Sequence, residues 1–317
     1  TVGILLSTGM VAGATWLVTG WVGLDIPFTY CFVFGALISP TDPIAVLGIL
    51  KKTAVPKSLE AKIAGESLFN DGVGVVLFTI LAALATGEAG HGAELTGAGI
   101  ARLFLTEAVG GIVLGLGAGY LAYRAIRVID EHNLEVLITL ALVMGTYAVA
   151  LRLHLSGPIA MVVAGLFIGN HGTRFGMSDS TRDHVEKFWS LIDEVLNSLL
   201  FLAIGVEVFA LSLTPGMLVI AVAAIPLVLA ARFISVGLPV RFLSRWEEFT
   251  PGAIPVLTWG GLRGGISVAL ALSLPPSPMR DQILAATYGV VVFSIVVQGL
   301  TIERVVRSTV TSPSATA

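Results

Sequence analysis

Long apolar stretches with few charges run through almost the whole sequence, and they constrain the fold more than any other feature. A helix that crosses a bilayer needs about 20 mostly apolar residues, and ten stretches approach or exceed that length. They are 1–21, 28–50, 61–86, 99–121, 134–152, 156–171, 184–210, 215–242, 252–274 and 281–303. Hydrophobic residues make up 55% of the chain and charged residues 12%, against about a quarter charged in soluble domains. The sequence therefore predicts an all-α, polytopic helical membrane protein.

Basic residues between the apolar stretches predict the topology. Lys and Arg concentrate in alternate connections such as 51–60, 122–133 and 172–183, whereas 22–27 and 87–98 contain neither. Because cytoplasmic connections carry the excess of positive charge, this alternation supports ten crossings, with the first residue and the C-terminus in the cytoplasm. We expect a multi-pass protein of the cell (inner) membrane. The net charge of −3 argues against a protein that binds nucleic acid.

Four ionisable residues lie well inside predicted spans: Asp42, Glu66, Asp71 and Arg263. An ionisable side chain near the bilayer centre costs at least about 2.5 kcal/mol on insertion scales, and such residues are usually paired and functional. These four residues are therefore the first candidates for a functional site.

The second span contains a sequence that cannot continue as a regular helix. Pro40 and Pro43 lack backbone donors and disfavour helix at the residue before each of them. Broken helix within a bilayer survives only inside protein or beside a cavity. Thr41 and Asp42 offer a hydroxyl, a main-chain carbonyl and a carboxylate, all of them hard oxygen ligands. A proline kink capped by the Asp is the structural alternative.

The third span carries a cluster of polar side chains within two helical turns. Ser67 and Asp71 are four residues apart and share one face, and Glu66 and Asn70 form a second pair rotated by about 100°. No Lys lies close in sequence to neutralise Asp71. A purely structural hydrogen-bond network between these side chains is the alternative to a binding site.

The ninth span predicts a second broken helix, because four glycines surround one mid-membrane arginine, Arg263. Arginine stays protonated in proteins, so this side chain requires a carboxylate partner. The sequence leaves several candidates open: Glu66, Asp42, Asp71, Glu107 and Glu207. Two interrupted helices, one early and one late, are typical of transporters built from inverted repeats with a site at the bilayer midplane.

Three motifs together resemble those of a known transporter family. They are SPTDPIAV at 39–46, GESLFNDG at 65–72 and WGGLRGGIS at 259–267. The chain resembles the sodium/proton antiporters of the NhaP type, in the first monovalent cation:proton antiporter family, over essentially its whole length. The resemblance implies an antiporter fold with inverted repeats and two discontinuous helices that cross, and not an enzyme.

The resemblance also implies a set of site residues. Asp71 and Asp42 would bind the cation, Na⁺ or Li⁺, in competition with H⁺. Thr41 would contribute through its main chain and Ser67 through its hydroxyl.

Three further residues would support that site. Asn70 stands where electrogenic relatives have the first Asp of a pair, a change that goes with electroneutral one-for-one exchange. Glu66 would pair with Arg263 as a brace inside the transport domain.

The partners and boundaries follow from the same resemblance. It implies monovalent cations and protons as substrates, the lipid bilayer as environment, a homodimer in the full-length protein, a role in pH homeostasis and no cofactor. We expect residues 1–307 to form the transmembrane antiporter domain and 308–317 a short polar tail. Ten spans also imply that the first three helices of the family are missing from this chain.

Two rival functions stay open on sequence alone. A K⁺/H⁺ antiporter would use the same scaffold, because the sequence does not resolve the small difference in ionic radius between Na⁺ and K⁺. An intramembrane aspartyl protease also uses two mid-membrane acids, but its Gly-x-Gly-Asp signature is absent here, where Asn70 precedes Asp71.

Overall fold

The structure of the chain, a computed structural model, is helical throughout its regular parts. It describes residues 2–43, 46–47, 57–87, 97–129, 131–173, 176–210, 214–246 and 252–309. The helices are α1 (Val2–Val22), α2 (Phe28–Ile38), α3 (Lys57–Thr86), α4 (Gly97–Val128), α5 (His132–Arg152), α6 (Gly157–Phe167), α7 (Asp179–Ala210), α8 (Pro215–Leu243), α9 (Ala253–Trp259), α10 (Gly265–Ser273), α11 (Pro278–Phe293) and α12 (Gly299–Thr309). Two π-helical turns, Ile168–Gly172 and Ser294–Gln298, follow α6 and α11. These ranges contain no strand, so the predicted all-α class is confirmed.

Among the described residues, seven helical segments are long and apolar enough to cross a membrane, and one of them is the continuous segment Pro278–Thr309 that comprises α11, its π-helical turn and α12. They correspond to seven of the ten predicted stretches. The other three stretches, 28–50, 156–171 and 252–274, do not form single long α-helices. The first contains the 11-residue α2, the second ends in a π-helical turn, and the third is divided into α9 and α10.

The C-terminal boundary differs slightly from the prediction. Helix α12 continues to Thr309, whose hydroxyl also donates to the Val305 carbonyl at 2.6 Å. The first two residues of the predicted polar tail therefore belong to the helix. The rest of that tail, 310–317, lies outside the described residues.

The starts of two helices carry side-chain caps of the residue types that helix N-termini favour. Thr214 accepts a hydrogen bond from the Met217 backbone at the start of α8, and Ser277 accepts one from the Arg280 backbone at the start of α11. In both cases proline occupies the first helical turn, where its missing N–H is not needed. These caps fix where the two helices begin after their connections.

The chain divides into two compact units. The first comprises Thr1–Ala89 and Ile204–Ala317. Within it α1 packs against α2 and α8, α8 packs against α11, and α2 packs against α3 and α10. Its core includes the buried side chains of Val46, Val256 and Leu262. Both divided helices, with their surroundings, belong to this unit.

The second unit comprises Gly90–Ala203, where α4 and α6 pack closely through glycine. A methyl group added at Gly111 would lie 2.8 Å from the Ser156 carbonyl oxygen, and one at Gly119 would lie 3.3 Å from Cα of Ala164. Small residues at such a spacing let two helix backbones approach each other in a bilayer. These two glycines of α4 therefore serve helix packing.

Candidate cation site at two broken helices

The first break lies where the sequence predicts it. Helix α2 ends at Ile38, residues 39–43 are not helical, and Val46 and Leu47 are helical again. Pro40 and Pro43 end the regular hydrogen bonding here. The Ser39 hydroxyl lies 2.7 Å from the Gly35 carbonyl oxygen and 2.9 Å from the Ser7 hydroxyl of α1.

The second break divides the ninth span and faces the first. Helix α9 ends at Trp259, and α10 begins at Gly265. The backbone N–H of Asp42 donates to the Leu262 carbonyl at 2.8 Å, so the two non-helical segments are joined by their main chains. The prediction of two discontinuous helices that meet is confirmed.

One glycine of the second break is required by the side chain of Asp42. A methyl group added at Gly264 would overlap the Asp42 side chain, at 2.8 Å from its Cβ and 2.9 Å from its Cγ. The φ of Gly264 is −129°, which other residues also adopt, so the requirement is one of space. The carboxylate of Asp42 thus lies directly against the second break.

Helix α3 brings its polar side chains to the same place. The hydroxyl of Ser67 donates to the Thr41 carbonyl, and both residues are buried. Asp71, one turn further along α3, is half-buried and lies within electrostatic range of Asp42 and Arg263. The four predicted ligand residues, Asp42, Asp71, Thr41 and Ser67, are therefore brought together.

One carboxylate oxygen at this site has no hydrogen-bond partner among the described residues. Oδ1 of Asp71 is buried and accepts no hydrogen bond from the described part of the chain. A buried carboxylate oxygen left in that state is costly. A bound cation, or a proton on the carboxyl group, would reduce that cost.

Arg263 does not form the ion pair that the sequence analysis expects. Its side chain is 2% exposed, and its Nη1 donates to the carbonyls of Ser39 and Pro40, the latter at 2.7 Å. These carbonyls follow the end of α2, where the helix leaves them without helical donors. The predicted pairing of Glu66 with Arg263 is therefore wrong, because Arg263 instead binds the main chain of the first break.

The cation that pairs with Glu66 is Arg232 of α8. Its Nη1 lies 2.5 Å from Oε1 of Glu66 and its Nη2 lies 3.0 Å from Oε2, which is a bidentate geometry. The same guanidinium donates to the Leu257 carbonyl in the last turn of α9, at 3.0 Å. Asn70 adds a weaker hydrogen bond to Glu66, at 3.4 Å.

A π-helical turn supports the second break from the side of α11. Within Ser294–Gln298 the Ser294 hydroxyl accepts from the backbone N–H of Arg263 at 2.8 Å and lies 2.7 Å from Oε1 of Gln298. The amide of Gln298 donates to the Trp259 carbonyl at 3.0 Å. Such turns are frequent at functional sites, and this one supplies hydrogen bonds on both sides of the break.

A family model described as sodium/hydrogen exchanger, transmembrane, matches residues 1–308. The chain belongs to this family. It is 51% identical over 312 residues to the Na⁺/H⁺ antiporter NhaP of Pseudomonas aeruginosa, covering 97% of this chain and 72% of that protein. It is 42% identical over 290 residues to the Na⁺/H⁺ antiporter NhaH of Halobacillus dabanensis, covering 90% and 70%.

A solved structure shares the fold of this exchanger chain. The sodium proton antiporter MjNhaP1 from Methanocaldococcus jannaschii, solved at pH 8, superposes with a TM-score of 0.78 at 18% sequence identity. The match covers 98% of this chain and 78% of that one. The family resemblance and the antiporter fold inferred from the three motifs are confirmed.

Arg232, Ser294 and Gln298 contact the two breaks of this exchanger but are not among the residues that the motifs indicate. Of these three, Arg232 is the charged one. It carries the same signal as the four residues that were singled out, since it is a charged side chain in the middle of the apolar helix α8. The rule that a mid-membrane charge is paired and functional applies to it without change. The three motifs indicate Arg263 and not Arg232, because only Arg263 lies inside one of them.

Proposed function

We propose that this chain exchanges Na⁺, or Li⁺, for H⁺ across a membrane as a secondary transporter. Membership of the exchanger family and the named activities of its relatives support the type of transport. The observation that carries the proposal for this chain is the meeting of Asp42 and Asp71 at two broken helices, with a buried carboxylate oxygen that has no partner in the described chain.

The cation is bound by hard oxygen atoms in this proposal. The carboxylates of Asp42 and Asp71, the main chain of Thr41 and the hydroxyl of Ser67 form the ligand set. Oxygen ligands of this kind suit hard cations. Because Thr41 and Ser67 are joined by a hydrogen bond, the cation would find its main-chain and hydroxyl ligands already held in place.

Coupling follows from the charge of the site. Two carboxylates near each other in a low-dielectric environment are costly when both are charged. A cation and protons bind the same oxygens, so the two substrates compete. Either one reduces the negative charge of the site, and the loaded site can therefore move through the apolar interior of the membrane. The empty site keeps its charge and does not cross. Alternating access of the site to the two sides of the membrane then yields exchange.

Further features of the proposal rest on the family resemblance. Asn70, which contacts Glu66, replaces an ionisable residue of electrogenic relatives, so exchange is one-for-one and electroneutral. The protein acts in the cell (inner) membrane with its C-terminus in the cytoplasm, in a homodimeric full-length form, and contributes to pH homeostasis without a cofactor.

Exchange in reconstituted vesicles tests the proposal. The purified chain is placed in proteoliposomes with a pH-sensitive dye and an imposed pH gradient, and Na⁺, Li⁺ or K⁺ is added in turn. Na⁺ and Li⁺ should dissipate the gradient, and an ionophore that clamps the membrane potential should leave the rate unchanged. A response to K⁺ alone would contradict the proposed substrate, and a rate that depends on the potential would contradict electroneutral exchange.

A further inference from the structure

A deep groove lies in the second unit, far along the chain from the two breaks. It is bounded by α5, by α6 with its π-helical turn, and by the first turns of α7, and its volume is about 410 Å³. That volume falls in the range of small-molecule sites, about 300–1,000 Å³. The residues that form its walls are mainly apolar, among them Val143, Met161, Ile168, Val185 and Trp189.

Two of the residues that line the groove are glycines. Gly165 and Gly169 are both exposed, and a methyl group added at either would meet no atom within 4 Å. The indole of Trp189, another lining residue, is held in place, since its Nε1–H donates to the Thr139 hydroxyl at 3.0 Å. The result is a fixed apolar channel with room for a slender apolar chain.

One end of the groove carries a pair of opposite charges. Among the described residues that line it, the charged ones are Arg182 and Glu186. They lie one turn apart, with Nε of Arg182 donating to Oε1 of Glu186 at 2.8 Å, and their side chains are 53% and 61% exposed. They stand in the first two turns of α7, which begins at Asp179, so this end lies near one surface of the membrane.

The other end of the groove reaches into the apolar part of the helices. Met161 of α6 is eight residues before Gly169, a distance of about 12 Å along a helix axis, and Val143 lies within the apolar span His132–Arg152. The groove therefore runs from charged residues near the membrane surface to apolar residues deeper in the membrane. A phospholipid has the same arrangement, with a charged headgroup at the surface and apolar acyl chains below it.

We propose that this groove binds one phospholipid whose headgroup carries both a phosphate and a primary amine, as in phosphatidylethanolamine. Arg182 binds the phosphate and Glu186 the ammonium group, and one acyl chain lies between Gly165, Val143 and Trp189. The pair of charges decides the headgroup class. An anionic headgroup without an amine would place its charge beside Glu186, whereas a zwitterionic one provides a partner for each side chain.

Native mass spectrometry of the whole chain tests the proposal. The protein is reconstituted into nanodiscs that contain equal parts of phosphatidylethanolamine, phosphatidylglycerol and phosphatidylcholine, then released into detergent, and the retained lipids are identified. One phosphatidylethanolamine should remain per chain, preferred over phosphatidylglycerol by about tenfold, the size of one hydrogen bond to a charged group.

Two variants separate the acyl-chain site from the headgroup site. Gly165→Leu should fill the groove and abolish lipid retention, while Gly145→Leu, at an exposed α5 glycine that also has open space around it and does not line the groove, should retain it. Glu186→Gln should keep one lipid per chain, but the ratio of retained phosphatidylethanolamine to retained phosphatidylglycerol should fall close to one. Loss of retention in both glycine variants, or in neither, would overturn the proposal. Retention of a second copy of the chain in place of lipid would also overturn it.

Discussion

At the scale of single residues, two buried arginines support the ends of two broken helices. Arg263 donates to carbonyls just beyond α2, and Arg232 donates to a carbonyl in the last turn of α9. In both places the C-terminal end of a helix leaves carbonyl groups without helical donors. The negative end of the helix dipole lies at the same point. Each arginine therefore offsets the negative charge at its helix end, and Arg263 does so within electrostatic range of Asp71.

Loss of the Glu66–Arg232 ion pair should destabilise the protein. Arg232→Met leaves the Glu66 carboxylate without its cation, which costs about 3 kcal/mol for a buried pair, and it removes the hydrogen bonds to Leu257 as well. The melting temperature in detergent should fall by roughly 5–10 °C. Thermal unfolding of Glu66→Gln, Arg232→Met and the double variant forms a double-mutant cycle. The cycle gives the coupling free energy between the two positions.

A second double-mutant cycle, which combines Glu66→Gln with Arg263→Met, serves as the control. The pair 66/232 should show strong coupling, because the two side chains are in contact, and the pair 66/263 should be nearly additive. Stronger coupling for 66/263 would show that Arg263, and not Arg232, is the partner of Glu66.

At the scale of helical elements, the glycines of the second break fall into separate roles. Gly264 leaves room for the Asp42 side chain, and Gly261 leaves room for the Arg232 guanidinium, whose Cζ would be 3.1 Å from an added methyl group. The sequence predicts the break from its four glycines, but it does not show which side chain each of them admits. That assignment depends on residues more than 20 positions away along the chain.

Gly264→Ala should impair exchange without unfolding the protein. The added methyl group must displace the Asp42 carboxylate, so the Na⁺ concentration for half-maximal exchange should rise by about tenfold, the effect of one lost interaction with a charged group. Gly65→Ala is the matched control, because Gly65 lies beside the site in sequence and has nothing within 4 Å. Equal exchange in the two variants would contradict the contact between Gly264 and Asp42.

The start of α5 should depend on pH through its capping residue. The carboxylate of Glu131 accepts from the backbone N–H groups of Leu134 and Asn133, at 2.9 and 3.3 Å, and chiefly the Leu134 bond lowers the pKa of Glu131. A lowered pKa in the folded state means that this cap stabilises the helix start above the ordinary carboxyl pKa. The stabilisation is lost as pH falls through the folded-state value.

Amide hydrogen exchange measures this effect directly. After correction for intrinsic rates, protection at Leu134 should fall in acid, and Glu131→Gln should remove that pH dependence. Met217, whose N–H is capped by the hydroxyl of Thr214, provides an internal control that should not respond. A response at Leu134 that persists in Glu131→Gln would show that another group titrates there.

At the scale of the whole molecule, the sequence predicts the helices better than their partners. Apolar length and the Pro40 and Pro43 pair locate the spans and the first break, because both depend on local chain properties. The partner of Glu66 depends on which helices pack together, and neither spacing nor motif reveals that. The same holds for the groove of the second unit. Its walls come from three helices, and the charged residues at its end, Arg182 and Glu186, belong to no motif.

The central claim is that Asp71 holds the exchanged cation or proton, and transport by Asp71→Asn tests it most directly. The variant and wild type are reconstituted into proteoliposomes at equal density, and Na⁺-driven dissipation of a pH gradient is followed with a dye. Asp281→Asn, at an exposed acid in the first turn of α11, is the control and should match wild type. We expect Asp71→Asn to show only the rate of protein-free vesicles. Exchange within about twofold of wild type would contradict the claim.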